Sequence, residues 1–293
     1  MAALKDIKRK VVAVQKTKQI TKAMNMVAAS KFKASQTRME NFRPYARKFM
    51  EVLNSLALRV ESVVHPLLAV REPKKVWVIC MSADRGLCGG FNNNLIKATE
   101  RFIRDRKAED KEVKLIPVGK KARDYFRKRL DIMLERVDVF RKFDMTLAAG
   151  ISQDVILPFI GAEYDELYIV FNEFVTVASQ KPAVVKLFPL PRMGVENIED
   201  VPYDKQINYI YEPSEPALLE KLLPMYVHVL IYRALLETSA GENGARMAAM
   251  DNATRNCEEL INSLTLKYNK ARQAAITAEL MDIVGGTEAL AKG

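Results

Sequence analysis

Residues 7–32 read IKRKVVAVQKTKQITKAMNMVAASKF, and the spacing of their apolar positions decides the fold. Alternate steps of four and three from Ile7 pass through Val11, Val14, Ala28 and Phe32, then Met39, Phe42, Phe49, Leu53, Leu56, Val60 and Val63. Such a stripe runs down one side of an α-helix and forms a heptad-like seam against a partner helix. Lys18, Thr21 and Asn25 make a local polar breach in it. Pro44 also falls inside the pattern. An interior proline costs about 3 kcal/mol, so a bend or short break is expected there.

The C-terminal part behaves in the same way. Pro216 suits a first helical turn behind Ser214 or Glu215. Apolar residues then recur at three or four, from Leu219, Leu222 and Tyr226 through Met247 and Met250 to Leu260, Leu264 and Ile276. Gly241 and Gly244 weaken the middle by about 1 kcal/mol each relative to alanine. The surrounding Ala245, Ala248, Ala249 and Ala253 are small enough for another helix to approach closely. Gly285 and Gly286 are expected to end the helix. At about 1.5 Å per residue, two unbroken helices would span on the order of 85–105 Å. A compact globule of this size is only about 50 Å across. The simplest expectation is that the two project together as an antiparallel coiled coil. The glycines and prolines leave open a bundle of several shorter helices.

Charge is unevenly distributed along the chain. The first 50 residues hold thirteen Lys or Arg against two acids, residues 51–216 hold 25 of each sign, and residues 217–293 hold 8 basic and 9 acidic. The formal excess of +10 therefore sits on the N-terminal helix and asks for an acidic partner. A charge run on a helix is usually just a solvated face. Here acids are almost absent, and like charges four apart cost a few tenths of a kcal/mol each, about 0.3. Nucleic acid stays open as that partner, although the cations alternate with an apolar seam rather than with stacking aromatics.

Composition narrows the classes further. Hydrophobic residues make up 49% of the 293, enough for a real core. The most apolar stretch, Met225 to Leu236, is interrupted by His228 and Arg233, so it suits a buried helix rather than a membrane span. The basic N-terminus lacks the apolar core of a signal peptide, and its helical pattern runs well past the length of a cleavable leader. Cys80, Cys88 and Cys257 are sparse, odd in number and without a CxxC, which points to a reducing compartment. His65 and His228 are far apart in the chain, so no histidine-based metal site is expected and both are taken as structural.

The middle of the chain alternates strand and helix. Strands are expected at Val76–Cys80, Val113–Val118, Leu167–Asn172, Val184–Leu187 and Ile207–Tyr211. Helices are expected at Asn93–Arg106, from Gly119 to Arg129, and at Ser152–Ala162. Between the first strand and first helix lies the turn Ser82–Asn92, SADRGLCGGFN. Its glycines could bring backbone amides up to a phosphate. It has neither GxGxxG nor GxxxxGK[ST], and a tight turn with capping chemistry is the stronger expectation. Asp84 and Arg85 are expected to pair locally, and Cys88 to be a small buried residue rather than a nucleophile.

Two long stretches carry a specific resemblance. One is QKTKQITKAMNMVAASK, residues 15–31, and the other is YNKARQAAITAELMDIVGG, residues 268–286. With the turn at Ser82–Asn92 and the helix ARMAAMDNATRN at Ala245–Asn256, they resemble the gamma subunit family of F-type ATP synthases, in order and along nearly the whole chain. The departures are modest. Asn243 and Gly244 follow Glu242 where the family usually has His or Gln and then Ala, and Thr287 stands where alanine is usual. No cysteine-bearing regulatory insert interrupts the middle, and the start resembles a bacterial type.

The resemblance implies a fold of class α/β: a Rossmann-like domain inserted between two long terminal helices that form an antiparallel coiled coil. The implied divisions are an N-terminal helix at 1–65, a globular domain at 66–212 and a C-terminal helix at 213–293. It implies a rotor shaft, with no catalytic residue, cofactor or metal, that couples rotation of a membrane c-ring to the catalytic beta-subunit sites and regulates ATPase activity and proton flow. The implied partners are the alpha and beta subunits, the epsilon subunit and the c-ring, with no nucleic acid and no direct membrane insertion. The implied location is the cytoplasmic side of the cell membrane, as a peripheral part of the complex. The residues carried over as partner contacts are Lys18, Lys22, Met24, Arg246, Arg272, Gln273, Thr277 and Glu279, and Ile276 to Leu290 would lie in an apolar sleeve. Two readings without the resemblance compete with this one: an α/β domain binding a small ligand at Ser82–Asn92, and a nucleic-acid-binding basic helix.

Overall fold

The computed structural model describes residues 2–57, 65–177, 179–190 and 214–291. The expected strand at Ile207–Tyr211 and the seam positions Val60 and Val63 lie outside the described residues. Helix α1 spans Ala2–Ala57 and helix α5 spans Glu215–Ala291. Between them come β1 (Lys75–Met81), α2 (Phe91–Ala108), β2 (Glu112–Val118), α3 (Lys120–Phe126), α4 (Met145–Ile160), β3 (Glu166–Phe174) and β4 (Gln180–Phe188).

Each terminal segment is one continuous helix, so the bundle of shorter helices is not what the chain adopts. Of the bend or short break expected at Pro44, no break occurs, and the element continues through it. A proline removes one hydrogen bond, and the turns on either side remain bonded. Nor do Gly285 and Gly286 end α5, which runs on to Ala291. Two helical glycines cost about 2 kcal/mol together, and that price ends a helix only where the backbone also finds a left-handed cap.

The chain divides into two compact units, Met1–Ala28 with Met247–Gly293, and Ala29–Arg246. In the first, α1 and α5 run antiparallel: Lys18 faces Glu258, Thr21 faces Thr254, and Asn25 faces Met247. Ala28 and Met250 are its buried apolar positions, at 1% and 5% exposure.

The second unit is built on a four-stranded sheet ordered β2-β1-β3-β4. β1 is parallel to β2 and β3, with Val78 opposite both Leu115 and Tyr168, and β4 is antiparallel to β3. Both faces are covered over β1 and most of β3, which is why Val76–Met81 and Leu167–Phe171 read as unbroken apolar runs, whereas β4 is largely exposed. One face sets Trp77, Ile79, Met81, Ile116 and Ile169 against α4 and the first half of α5. The other sets Val76, Val78, Cys80 and Leu115 against Leu95 and Ile103 of α2 and Phe126 of α3. The alternation of Val76, Val78 and Cys80 with Trp77, Ile79 and Met81 is the period-two geometry of a strand. The expected strands and helices are all present in the described part. The largest discrepancy is α4, which starts at Met145 rather than Ser152 because Asp144 caps it, accepting from the Leu147 N–H at 3.0 Å.

Candidate functional site

In the helix pair, the polar breach at Lys18, Thr21 and Asn25 is a ladder of cross-helix contacts. Lys18 Nζ lies 2.8 Å from Glu258 Oε1. The Thr21 and Thr254 hydroxyls are 2.8 Å apart, and the Asn25 amide donates to the Met247 carbonyl at 2.8 Å. Thr21 Oγ1 is also 3.0 Å from the Lys18 carbonyl, and Thr254 Oγ1 is 2.8 Å from the Met250 carbonyl. Each hydroxyl has one proton, so the two threonines fill two of these three contacts at a time. The Glu258 carboxyl is held below its ordinary value by its hydrogen bond and charge contact with Lys18, with Lys22 adding to the effect. Gln15, Lys18, Gln19, Lys22 and Ile261 line a shallow groove beside the ladder.

The other predicted contacts are distributed as follows. Lys22 is exposed and Met24 half-buried. Arg272, Gln273, Thr277 and Glu279 are exposed along α5, where the Thr277 hydroxyl donates to the Gln273 carbonyl at 3.0 Å. Exposed apolar residues accompany them: Ile276, Leu280, Met281, Ile283 and Val284 are each about half exposed or more. The side chains of 288–290, at the end of the expected sleeve segment, lie outside the described residues.

Arg246 belongs to the second unit, and its guanidinium is engaged within the chain. It donates to the Gly86 carbonyl at 3.2 and 3.3 Å and pairs with Glu242 at 2.5 Å. The two side chains are 12% and 7% exposed. Burial raises the Glu242 carboxyl above its ordinary range, against the opposing pull of Arg246. Beside the pair, Ala245 packs with Ala83, Cys88 and Phe91. Gly241 lets α5 come this close, since a Cβ there would stand 3.0 Å from the Phe91 ring. From Ala234 to Ala245 every residue of α5 is buried. Glu242 was not among the sequence candidates. Its signal was a charged pair four residues apart within a stretch of Gly and Ala.

The Ser82–Asn92 turn spends its polar groups on itself and its neighbours. The Ser82 hydroxyl accepts from the Ala122 N–H at 2.7 Å, and Asn92 Oδ1 accepts from the Ala83 N–H at 3.0 Å. Asp84 does not pair with Arg85. It accepts from the backbone N–H groups of Lys120, Asp138 and Phe140 instead. A carboxylate thus occupies the start of α3, where a bound anion would otherwise sit. Gly119, at φ +102°, completes the turn, and a Cβ there would lie 2.0 Å from the Ser82 carbonyl oxygen. Cys88 is buried and burial pushes its thiol up, so it is a packing residue. Burial raises Cys80 to about 12. His65 Nδ1 accepts from the Leu67 N–H at 3.1 Å and caps a 3-10 turn, and burial lowers both His65 and His228.

Among the described residues no group of three or more His, Cys, Asp or Glu could hold a metal. No described helix is long and apolar enough to cross a membrane. What the helix pair offers is exposed apolar and charged surface along α1 and α5, the surface of a helical protein rather than of a small-molecule site. The family model described as ATP synthase matches residues 3–290. The chain is 68% identical over 293 residues, all of both chains, to the "ATP synthase gamma chain" of Syntrophus aciditrophicus (strain SB). It is 49% identical over 99% of both chains to that of Nitratidesulfovibrio vulgaris. Among solved structures it is similar to a chain of the central stalk and c-ring of Tetrahymena thermophila mitochondrial ATP synthase, at 26% identity and a TM-score of 0.60, covering 80% of this chain and 99% of that one. A Euglena gracilis mitochondrial ATP synthase chain shares the fold at 21% identity and a TM-score of 0.69, covering 99% of this chain and 95% of that one. The chain belongs to the ATP synthase gamma chain family.

Proposed function

We propose that this chain is the central rotor shaft of an F-type proton-translocating ATP synthase. It couples rotation of the membrane c-ring to ATP synthesis and hydrolysis at the beta-subunit sites, and it regulates ATPase activity and proton flow. The observation that carries this is the full-length match, at 68% identity, to a bacterial gamma chain. The central-stalk structure with the same fold supports it. In this role the chain is a non-catalytic subunit whose partners are the alpha and beta subunits, the epsilon subunit and the c-ring. Its place is peripheral, on the cytoplasmic side of the cell membrane.

A shaft drives its ring only if it meets different ring members differently, because a ligand that binds all states equally shifts none of them. The helix pair has that asymmetry in its charge. Residues 1–28 carry seven Lys or Arg against one acid, while residues 247–293 carry five against six. Lys18, Lys22 and Met24 would meet the beta subunits on the cationic side, with Arg272, Gln273, Thr277 and Glu279 contacting the ring from α5. Arg246 would act from the turn that it holds. The divisions 1–65, 66–212 and 213–293 would then be the shaft's first helix, its globular domain and its second helix.

The test is to isolate the chain from its native membranes under mild conditions and identify what accompanies it. Nucleotide-binding alpha and beta subunits in excess over one copy of the chain are expected. Recovery with nucleic acid, or alone, overturns the proposal.

A further inference from the structure

The zero net charge of residues 51–216 conceals a local excess: residues 97–131 hold thirteen Lys or Arg against seven acids. These residues are α2, β2, α3 and their connections, on one flank of the sheet. At the start of β2 they enclose an open groove of about 860 Å³. Lys107, Lys111, Arg127, Lys128 and Arg129 line it, with Val113 and Leu130 as apolar lining. Its own acids are Asp110, Glu112 and Asp131. Lys111 is held by Glu109 at 2.9 Å, Glu112 by Lys114 at 3.3 Å, and the Arg129 guanidinium lies 4.1 Å from the Tyr125 ring centre. Lys107, Arg127 and Lys128 are exposed and have no ion-pair partner among the described residues.

The groove also adjoins a strand edge. β2 is an outer strand of the sheet, and residues 131–136 lie along its outer side. The Leu115 N–H donates to the Asp131 carbonyl at 3.1 Å, and the Met133 and Arg136 N–H groups donate to the Leu115 and Pro117 carbonyls at 3.2 and 3.0 Å. That cover begins at Asp131. Val113 lies two residues before Leu115 on the same strand, so its backbone faces the same way, into the groove. The chain's own segment therefore shows how an extended backbone lies on this edge, and the groove prolongs the track.

We propose that this groove docks an extended acidic segment of another protein, laid along the β2 edge with its carboxylates toward Lys107, Arg127 and Lys128. A cation-lined groove that prolongs a strand edge fits an extended backbone better than a flat lipid surface does. No exposed aromatic lines it to stack a base. Pairing to a strand edge supplies affinity and the flanking charges supply specificity.

The test uses the full chain and a fluorescein-labelled heptapeptide alternating glutamate with valine, read by fluorescence anisotropy. Binding should weaken as salt rises from about 50 to 300 mM. The charge-reversed variant Lys107→Glu/Arg127→Glu/Lys128→Glu should lose about tenfold in affinity or more. Lys8→Glu/Arg9→Glu/Lys10→Glu, with the same charge change in α1, should bind as the parent does. The milder Lys107→Gln/Lys128→Gln serves if the triple variant fails to fold, as judged by fluorescence of Trp77, the sole tryptophan. Hydrogen exchange at the Val113 amide should slow when the peptide binds. The proposal fails if the parent does not bind, or if both triple variants lose affinity equally. Tighter, equally groove-dependent binding of inorganic polyphosphate, RNA or phosphatidylglycerol vesicles would also overturn it in favour of that ligand.

Discussion

Between Lys18 and Asn25 the two long helices meet through polar side chains, with Lys18 and Glu258 open to water and Thr21 buried between the helices. Between Ala234 and Ala245 the same α5 is buried on every side, among strands, turns and α1. The first contact is a polar ladder flanked by exposed apolar residues such as Ile20, Met26 and Leu260. The second is a close-packed sleeve in which glycine and serine let neighbours approach. The difference shows where each unit gets its order. Most helical stability comes from packing an apolar face rather than from propensity. The sheet unit supplies that packing from its own chain, whereas the helix pair leaves much of its apolar surface uncovered.

The largest effect should come from the sheet unit's core. Phe159 is fully buried, stacked on Phe188 at 4.7 Å between ring centres, with the Arg71 guanidinium 4.7 Å above it. Phe159→Ala should cost about 3–5 kcal/mol. Trp77, 3% exposed in this same core, reports the loss as a lower urea midpoint by fluorescence. A loss below about 1 kcal/mol would mean that this core is far looser than its burial implies.

Next is the pair that ties α5 to the turn. Arg246→Ala leaves a buried carboxylate without its partner, and should cost about 3 kcal/mol by the same Trp77 readout. The pH dependence has a definite sign. Burial holds the Glu242 carboxyl above its ordinary 4.5, so the folded chain keeps this proton to higher pH than the unfolded chain does. The resulting stabilisation is complete below the unfolded value and is lost as pH rises through the folded value. The stability difference between the parent and Glu242→Gln should therefore shift against the parent as pH rises above the ordinary carboxylate value of 4.5. A shift in the opposite direction would show that Arg246, not burial, dominates.

These two sites differ in how far the sequence exposed them. The core was legible because Val76–Cys80 and Leu167–Asn172 are β-branched or apolar runs that only a two-sided sheet accommodates. The seam of α1 was legible from its period alone. The partners of Arg246 were not, because two of its acceptors are backbone carbonyls 160 and 161 residues away, which no side-chain pattern encodes. Asp84 was misassigned to Arg85 for the same reason, since its true partners are N–H groups. The polar breach was visible, but its meaning required knowing that Thr254 and Glu258 of α5 lie opposite.

A smaller effect is expected in the ladder. Thr21→Val leaves the Thr254 hydroxyl without its cross-helix partner and should destabilise the helix pair by about 1 kcal/mol. Thr21→Val/Thr254→Val removes both hydroxyls and should recover much of that loss. Hydrogen exchange of the α1 amides near residue 21 reads the change, and the Trp77 transition should stay put. If the double variant is worse than the single, the ladder is held by something other than this hydroxyl pair.

The smallest effect on the isolated chain should come from Lys18→Glu/Lys22→Glu. Lys18 and Glu258 are exposed at 35% and 51%, and an ion pair so open to water adds little to stability. The helices should therefore remain paired and the Trp77 transition unchanged. The proposed shaft role demands a different result in the assembled complex, where the cationic side of α1 would face acidic loops of the ring and reversal would turn attraction into repulsion. ATP-driven proton pumping by vesicles containing the variant complex should fall more than ATP hydrolysis does. Equal, undiminished pumping would remove Lys18 and Lys22 from the contact surface, and the in-chain pair with Glu258 would then be the whole account of Lys18.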